Sequence, residues 1–553
     1  MRDEVFDIVV VGGGVTGCGA ALDAAARGLS VALLEKRDFA AGTSSRSSKL
    51  IHGGVRYLEQ LNFSLVREAL RERALLLTRL APHLVQPVSF LYPLTHRAWE
   101  RLYVGAGLSL YDNLARGSGD AGGLPRHQHL SRRKALALAP ALRRDALVGA
   151  VRYWDAQVDD ARYTLALART AAAHGAAVAT SLRAVRFRRE GERVVGVQVR
   201  DLESGQEFDV RARQVVNATG VWTDDVQQLV GRGRIRVRAS KGVHLVVPRD
   251  RIHADSGVIL RTATSVLFVI PWGRHWIIGT TDTEWKLGKA HPAASRADID
   301  YLLAHVNRVL AEPLTHADVE GVYAGLRPLL RGESAETSTL SREHAVWQAV
   351  PGLVTVAGGK YTTYRVMAAD AIDMASYGLA TRVPRSCTDV TPLAGAQGFQ
   401  AVWNRRGTLA STSGLHVARI EHLLRRYGTL TVELLQLIEL DPQLRAPVPG
   451  AEDYLAAEVV YAASHEGALH IDDVLTRRTH VSIETFDRGV AAAEPVAQLL
   501  AGVLGWGDEQ IKREVEHYRL RVAAEVESQQ QADDLTADAA RLGASDVRMG
   551  AHG

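Results

Sequence analysis

Short apolar runs and one helical segment alternate at the start of the chain. Residues 6–11 and 30–34 are rich in β-branched and aliphatic side chains, which is the pattern of strands buried on both faces of a sheet. Residues 20–27 have the composition of a helix, and Gly28 ends it. The order of strand, turn, helix and strand predicts a βαβ unit with a parallel sheet.

The later patterns predict three kinds of structure. Strands and turns alternate from 237 to 279 as in an antiparallel sheet, a buried strand at 353–357 leads into a helix, and the pattern is helical from residue 414 onward. We therefore predict an α/β protein in which a Rossmann-type domain carries an inserted α+β substrate part, followed by an all-helical C-terminal domain. The predicted ranges are 1–80, 151–235 and 346–388 for the Rossmann-type domain, 81–150 for a substrate or cap segment, 236–345 for an antiparallel-sheet substrate domain, 389–525 for the helical domain and 526–553 for a flexible tail.

Composition and charge limit the class of protein. The chain has 46% hydrophobic and 23% charged residues, as soluble globular proteins do. The net charge of +4 is weaker than a nucleic-acid binder of this size would show, but it suits a phosphorylated substrate or an anionic membrane surface. Two cysteines, no signal-peptide pattern and no apolar run of about 20 residues lead us to expect a cytoplasmic protein, free or attached to the membrane surface.

A glycine motif follows the first predicted strand. Gly12-Gly13-Gly14-Val15-Thr16-Gly17 matches GxGxxG, and the second strand ends at Glu35. In this context Gly12, Gly14 and Gly17 allow a pyrophosphate to approach the helix N-terminus, while Glu35 can bind a ribose hydroxyl pair. An accidental glycine turn is the alternative, and the unit alone does not separate NAD from FAD.

The segment 43–59, TSSRSSKLIHGGVRYLE, has no apolar face at either the helix or the strand period. Its hydroxyls suit a phosphate, Gly53 and Gly54 allow the backbone to approach a flat ligand, and His52 can exchange a proton near neutral pH. A solvated loop is the alternative.

Two further motifs follow buried strands. Val215-Val216-Asn217-Ala218-Thr219-Gly220 ends in a small residue and a glycine, which alone is a weak signal. Gly358-Gly359-Lys360-Tyr361-Thr362-Thr363 opens a helix, so its N–H groups and the helix dipole can stabilise an anion. A simple capped helix after a tight turn remains the alternative.

These motifs resemble FAD-dependent (aerobic, respiratory) glycerol-3-phosphate dehydrogenases, within the D-amino-acid-oxidase-like flavoproteins, over nearly the whole chain. The resemblance implies FAD as cofactor. It implies that the residues contacting FAD are Gly12, Gly14, Gly17, Glu35, Thr43, Ser44, Ser45, Ser48, Lys49, Leu50, His52, Ala218, Thr219, Gly220, Gly358, Gly359, Lys360 and Thr362.

The resemblance also implies a reaction, the oxidation of sn-glycerol 3-phosphate to dihydroxyacetone phosphate with electrons passed to a membrane quinone. It needs a base, for which His52 is the first candidate and Asp282 the second; a structural or flavin-orienting role for His52 stays open. Arg327 completes the catalytic set. Substrate binding carries over to Arg56, Tyr57, Asp282, Arg327, Arg342 and Lys360. No metal site is predicted.

Residues 97–116 form an apolar block with aromatic and basic flanks, including Trp99, Leu102, Tyr103 and Leu108. This composition suits a helix in a membrane interface, and a buried helix of the substrate domain is the alternative. We expect a peripheral protein on the inner face of the cell membrane, with a homodimer as an option. Arg477 and Arg478 are predicted to form structural ion pairs.

Two other functions remain open from the sequence. An oxidase would carry out the same half-reaction with molecular oxygen as acceptor. A non-catalytic flavin-binding protein would need no converging cations, so the arginines and Lys360 argue against it. An NAD dehydrogenase would leave the segment 43–59 and the GGKYTTY helix start without roles.

Overall fold

The computed structural model describes residues 1–59, 61–96, 98–117, 124–231, 236–262, 266–330 and 344–549. The strands in chain order are β1 (Val5–Val11), β2 (Val31–Leu34), β3 (Leu50–Ile51), β4 (Val85–Leu94), β5 (Gln128–Ser131), β6 (Gly149–Val158), β7 (Ala177–Ala179), β8 (Leu182–Glu190), β9 (Arg193–Asp201), β10 (Glu207–Asn217), β11 (Val237–Pro248), β12 (Gly257–Arg261), β13 (Val266–Trp272), β14 (His275–Gly279), β15 (Thr283–Trp285), β16 (Gly321–Leu330), β17 (His344–Val350), β18 (Leu353–Gly358), β19 (Pro447–Val448) and β20 (Ala451–Leu455).

Helices surround these strands and make up most of the C-terminal part. In chain order they are α1 (Val15–Ala26), α2 (Arg56–Glu59), α3 (Phe63–Leu75), α4 (Trp99–Gly117), α5 (Arg132–Leu138), α6 (Asp160–Ala173), α7 (Thr223–Gln228), α8 (Arg296–Val306), α9 (Tyr364–Ser376), α10 (Phe399–Asn404), α11 (Arg406–Ser413), α12 (Val417–Tyr427), α13 (Thr431–Leu440), α14 (Ala456–Ser464), α15 (Ile471–Asp473), α16 (Val481–Glu484), α17 (Val490–Leu504), α18 (Asp508–Ser528) and α19 (Asp534–Leu542). No helix of the described ranges combines the length and the apolar character needed to cross a bilayer.

The first sheet has the order β17-β18-β10-β1-β2-β7, with β8 and β9 attached beside β10. Strands β2, β1, β10 and β18 run parallel, as the two apolar runs predict. One face of β1 packs on α1, α6 and α9, and its other face packs on the β8–β9 hairpin. The carboxyl ends of β1, β10 and β18 therefore lie side by side, which brings the motifs after residues 11, 217 and 358 together.

The second sheet has ten strands, in the order β15-β11-β14-β13-β12-β4-β6-β3, with β16 beside β11. Its pairs are antiparallel except that β12 runs parallel to β4. The predicted boundary at residue 151 falls inside β6, whose whole length pairs with β4 in this sheet rather than in the first. The fold class, a Rossmann-type domain with a mainly antiparallel substrate sheet and a helical C-terminal domain, is confirmed.

The C-terminal part is helical apart from the short β19–β20 hairpin. Buried ion pairs attach it to the first sheet's domain: Asp38 accepts hydrogen bonds from Arg477 and Arg478 at 2.5–2.8 Å, which confirms that these two arginines are structural. Arg162 binds Glu466 in the same way across the two domains.

The predicted flexible tail is wrong for residues up to 549. Helix α19 and the residues after it pack on the body of the protein through charged groups: Lys241 contacts Asp534, and Arg548 binds Asp473 at 2.8 Å. The polar composition that suggested a disordered tail instead supplies the partners for buried charges.

Candidate active site

A cavity of about 780 Å³ runs from the glycine turn after β1 to the second sheet. At its first end, two glycines allow backbone segments to pack closely. A Cβ on Gly12 would lie 2.7 Å from the Ala218 carbonyl oxygen, and a Cβ on Gly17 would lie 1.8 Å from the Gly12 carbonyl oxygen. Gly14 caps α1 without a side-chain hydrogen bond. Glu35 reaches back to accept a hydrogen bond from the Gly13 N–H at 2.7 Å. This end is a cradle for a pyrophosphate and a ribose.

Most of the predicted cofactor residues line this cavity. They are Gly12, Gly14, Glu35, Thr43, Ser44, Ser48, Leu50, His52, Ala218, Thr219, Gly220, Gly358, Gly359, Lys360 and Thr362. Gly17 is not among the described lining residues, but it packs against the Gly12 carbonyl and so supports the turn that does line the cavity.

The hydroxyls of the segment 43–48 bond protein groups. Ser44 Oγ accepts from the Val15 N–H at 2.9 Å, Thr43 donates to the Leu326 carbonyl at 2.6 Å, and Ser47 donates to Asp160 at 2.7 Å. These bonds fix the segment against α1, β16 and α6. These three hydroxyls are therefore engaged with protein groups rather than unbound.

Lys49 and Ser45 lie elsewhere than the sequence analysis predicts. Lys49 is fully buried and its ammonium group contacts Asp160 at 2.6 Å, away from the residues that line the cavity. A buried ammonium group needs a paired anion, and Asp160 supplies it. Ser45 faces a second, smaller cavity on the other side of the segment.

The turn at His52 is held from two directions. The Thr362 hydroxyl accepts a hydrogen bond from the His52 N–H at 3.2 Å and donates to the His52 carbonyl at 3.3 Å. The Gly53 N–H donates to the Tyr111 hydroxyl at 2.8 Å, and Tyr111 in turn donates to buried Asp155. The histidine predicted as a base therefore lies on a rigid turn at the cavity wall.

Tyr57 and Lys360 meet across the same turn. The Lys360 ammonium nitrogen lies 3.7 Å from the centroid of the Tyr57 ring. Gly54 has φ +77°, and a Cβ there would lie 2.4 Å from the Tyr57 ring, so only glycine leaves room for it. Both residues line the cavity.

Arg327 enters the cavity from β16, and Asp282 stands behind it. The guanidinium donates to the Thr281 carbonyl at 3.2 Å, to the Thr280 hydroxyl at 3.1 Å and to Asp282 at 3.5 Å. Asp282 also accepts a hydrogen bond from Ser240 and does not appear in the described cavity wall. Asp282 is therefore placed to orient the Arg327 guanidinium, and its role as the second candidate base stays a prediction. The Arg56 side chain and Arg342 lie outside the described residues.

His244 also lines the cavity, although its position in the predicted sheet region 237–279 indicates only a strand residue. It stacks on Tyr323 at 4.7 Å between ring centroids, and its Nε2 lies 2.9 Å from the Ser48 hydroxyl. Burial first, and then the cations Arg327 and Lys49, hold the pKa of His244 well below its usual value. A histidine inside the apolar run GVHLVV, two residues after a glycine, is the sequence signal that could have found it.

Gly242, two residues before His244, leaves space on β11 for the Arg327 side chain. A Cβ at Gly242 would lie 2.6 Å from an Arg327 nitrogen and 2.5 Å from the Thr280 hydroxyl. The missing side chain lets Arg327 lie across β11 beside His244. The neutral imidazole of His244, the cations of Arg327 and Lys360, and His52 therefore line one cavity.

The donor set fits FAD. The glycine cradle, the acid at the end of β2 and the GGK turn at the start of α9 lie along one cavity whose volume is in the usual range for cofactor sites. Glu35, Gly14 and Ala218 would hold the adenosine and pyrophosphate part, and Ser48, His52 and Thr362 would flank the flavin.

Comparisons with known proteins agree with this geometry. Residues 7–365 match the family model described as FAD dependent oxidoreductase, and residues 386–511 match the C-terminal domain of alpha-glycerophosphate oxidase. A glycerol-3-phosphate dehydrogenase 2 of Mycobacterium tuberculosis is 58% identical over 546 residues, covering 99% of this chain and 93% of that protein.

Two further similarities extend the comparison. The human mitochondrial glycerol-3-phosphate dehydrogenase is 37% identical, covering 96% of this chain and 75% of that protein. The crystal structure of a glycerol-3-phosphate dehydrogenase from Bacillus halodurans, complexed with FAD, is similar with a TM-score of 0.76 and 28% identity, covering 94% of this chain and 95% of that one.

Proposed function

Since this chain belongs to the FAD-dependent glycerol-3-phosphate dehydrogenases, within the FAD-dependent oxidoreductase family, we propose that it oxidises sn-glycerol 3-phosphate to dihydroxyacetone phosphate and passes the electrons to a membrane quinone. The observation that carries the proposal is that Arg327, Lys360, His52 and His244 line the same cavity as the glycine cradle. FAD, when bound, supplies a hydride acceptor for carbon 2 of the substrate.

The cations account for a phosphorylated substrate. Arg327 offers a planar guanidinium that can bind two phosphate oxygens at once, and Lys360 adds a point charge. Asp282 and the Thr281 carbonyl restrict the Arg327 rotamer, so little freedom is lost when the phosphate binds. Arg56 and Arg342 remain part of the proposed substrate set, and Tyr57 lies against Lys360.

We assign the base to His52. Thr362 accepts a hydrogen bond from the His52 N–H and donates one to the His52 carbonyl, which fixes this backbone at the cavity wall, and the Tyr111 hydroxyl fixes the next residue. His52 would take the proton of the carbon-2 hydroxyl as the carbon hydrogen departs. His244, buried and neutral beside Ser48, would hold that hydroxyl or the neighbouring one by a hydrogen bond.

The exposed face of helix α4 supports the proposal that the protein lies on a membrane and uses a quinone as electron acceptor. Its exposed face carries Trp99, Leu102, Tyr103 and Leu110, while its opposite face is buried and holds the His52 turn through Tyr111. Trp and Tyr at the edge of an apolar stripe are typical of a helix that lies in the bilayer interface. The inner face of the cell membrane is the proposed location, with quinone reaching the reduced cofactor from this side.

Anaerobic reduction tests the proposed function. The purified protein should be yellow and should bleach when glycerol 3-phosphate is added without oxygen, while glycerol at the same concentration should bleach it far more slowly. Equal rates for the two alcohols would contradict the role of the cations. Adding oxygen or a short-chain quinone to the reduced protein then separates an oxidase from a dehydrogenase by the rate at which the colour returns.

A further inference from the structure

A second cavity, of about 80 Å³, lies where the C-terminal helices meet the second sheet. Its walls come from the segment 45–46, from β16 and from α18 and α19. Four arginines line it, Arg46, Arg488, Arg521 and Arg541, and the carboxylates among its described lining residues are Asp472 and Glu525. The lining side chains therefore carry two more positive than negative charges.

Both carboxylates already have arginine partners. Arg521 contacts Asp472 at 2.7 Å, and Asp472 also contacts Arg477 at 3.0 Å. Arg541 contacts Glu525 at 2.8 Å. These pairs leave Arg46 and Arg488 without a carboxylate in the described lining of this cavity.

Arg488 is the most deeply buried of these cations, with 6% of its surface exposed. Its Nη2 donates to the Gln529 side-chain oxygen at 3.3 Å, but its Nε and Nη1 are buried and meet no hydrogen-bond acceptor in the described part of the chain. Its backbone is fixed, since φ is +59° and its carbonyl accepts a hydrogen bond from Tyr518 at 2.6 Å. A buried guanidinium with two unused donors is costly unless an anion joins it.

Arg46, like Arg488, lies where its positive charge is poorly compensated, because its charged neighbours are other arginines. Burial first, and then the nearby cations Arg37, Arg541, Arg521 and Arg477, lower its pKa to about 9. Each of these charged neighbours repels the protonated guanidinium. The arginine nevertheless lies between the two cavities and lines both of them.

We propose that this cavity binds a small tetrahedral oxyanion of the phosphate class, held by Arg488 and Arg46. A guanidinium fork matches two oxygens of such an ion. A water molecule needs about 10–15 Å³ on the same measure, so the cavity holds several waters or one ion of this size, and it is too small for a nucleotide. Arg488 and Arg46 both line this cavity, and the other two arginines of its lining are paired with carboxylates.

The bound ion would join two parts of the molecule. Arg488 belongs to the C-terminal domain, whereas Arg46 belongs to the segment that lines the cofactor cavity between Ser44 and Ser48. The ion would therefore fix the position of that segment from the side opposite the cofactor. This site is separate from the proposed substrate phosphate site, because Arg327 and Lys360 line only the first cavity.

Replacing Gln529 by Glu tests the proposal without removing an arginine. The new carboxylate would stand 3.3 Å or closer to Arg488 and take the place of the ion. Binding of inorganic phosphate to the FAD-loaded enzyme is measured by titration calorimetry, and thermal unfolding is followed with and without phosphate at constant ionic strength. Gln529→Glu should weaken this binding at least about tenfold and raise the melting temperature in phosphate-free buffer. Gln530→Glu, the same change at the exposed neighbouring residue, should leave binding unchanged.

Phosphate also resembles part of the proposed substrate, so the titration is repeated in Arg327→Gln. Binding that survives in Arg327→Gln and is lost in Arg488→Met supports the second site. The proposal is overturned if the wild-type enzyme binds no phosphate at concentrations up to about 10 mM, where a Kd of 1 mM (about −4 kcal/mol) would be near saturation. It is also overturned if binding is lost in Arg327→Gln, or if Gln529→Glu binds phosphate as the wild type does. A lower melting temperature of Gln529→Glu in phosphate-free buffer would also contradict the proposal, because a carboxylate placed in an empty anion site should stabilise the fold.

Discussion

The Thr362 hydroxyl holds both backbone polar groups of His52, accepting from its N–H at 3.2 Å and donating to its carbonyl at 3.3 Å. The two residues are 310 positions apart in the chain, and each follows its own glycine or hydroxyl motif. Thr362 lies in the turn Tyr361–Thr363 that leads into α9, so the start of a helix packed on the first sheet also sets the position of the proposed base.

Replacing Thr362 by Val, which keeps the shape and removes the hydroxyl, should lower kcat by about 30-fold. Two neutral hydrogen bonds are worth about 1 kcal/mol each, and about 1.4 kcal/mol corresponds to a factor of ten in rate. Thr362→Ser keeps the hydroxyl and should retain most of the activity. The measurement is kcat with a soluble dye acceptor, with FAD content read from the absorbance. Equal kcat in Thr362→Val and the wild type would mean that the turn is held without Thr362.

Arg327→Gln should raise KM for glycerol 3-phosphate by about 100-fold, because a charge-assisted contact to the phosphate is worth about 1.5–3 kcal/mol. FAD content should stay near that of the wild type, since the residue lies at the substrate end. Arg251→Gln is the matched control, as Arg251 pairs with Asp318 on the surface. A loss of FAD with an unchanged KM would place Arg327 on the cofactor instead.

The two cavity histidines should differ in their effect on the pH profile. Without its base, His52→Gln should lower kcat by at least about 100-fold and remove the acidic limb of the profile. Burial and the neighbouring cations hold the pKa of His244 well below its usual value, so this imidazole stays neutral at and above neutral pH. His244→Gln should therefore keep the acidic limb while lowering the rate. If instead the limb disappears in His244→Gln and persists in His52→Gln, the assignments are reversed.

Much of the fold could be predicted from local sequence patterns. The runs at 6–11 and 30–34 and the glycine turn between them specify β1, α1 and β2, because burial on both faces and a close approach of the backbone are local requirements. The GGK turn before α9 is specified in the same way. These motifs converge in the structure because parallel strands end at the same edge of a sheet.

Contacts between side chains that are distant in the sequence could not be predicted. Lys49 lies among polar residues that suggest a phosphate, and only the position of α6 brings Asp160 to within 2.6 Å of it. His244 faces the cavity because β11 pairs with β14 and β16, which no local pattern reveals. The order of the segment after 525 likewise depends on distant groups, since Arg548 is paired with Asp473.

His470 should make stability depend on alkaline pH. Burial alone would lower its pKa, but hydrogen bonds to Glu203 and Glu514 raise it to about 9. A group whose pKa is raised on folding contributes stability that is fully present below its unfolded value of about 6.5 and is lost as the pH rises through about 9. The difference corresponds to roughly 3 kcal/mol.

Thermal unfolding between pH 6 and 10 measures this contribution. The wild type should lose stability across that window, and His470→Gln should start lower at pH 6 and show a flatter profile. His465→Gln, a change at an exposed histidine nearby, should keep the wild-type slope. An unchanged slope in His470→Gln would show that other groups cause the alkaline loss.

Helix α4 should bind the enzyme to anionic membranes through its exposed apolar face. Trp99, Leu102 and Tyr103 are 58%, 75% and 50% exposed, whereas Leu108 is 2% exposed and faces the interior, so its replacement would damage the fold instead. Burying a large apolar side chain is worth about 1.5–3 kcal/mol, and changing all three exposed residues to Ser should weaken vesicle binding by at least about 100-fold. The matched control is Leu440→Ser, an 83% exposed leucine of the C-terminal domain. Co-sedimentation with phosphatidylglycerol vesicles gives the binding, and activity with a soluble dye and with a long-chain quinone gives the consequence. The triple variant should keep its dye activity and lose activity with the membrane-embedded quinone. Undiminished sedimentation would assign membrane binding to another surface.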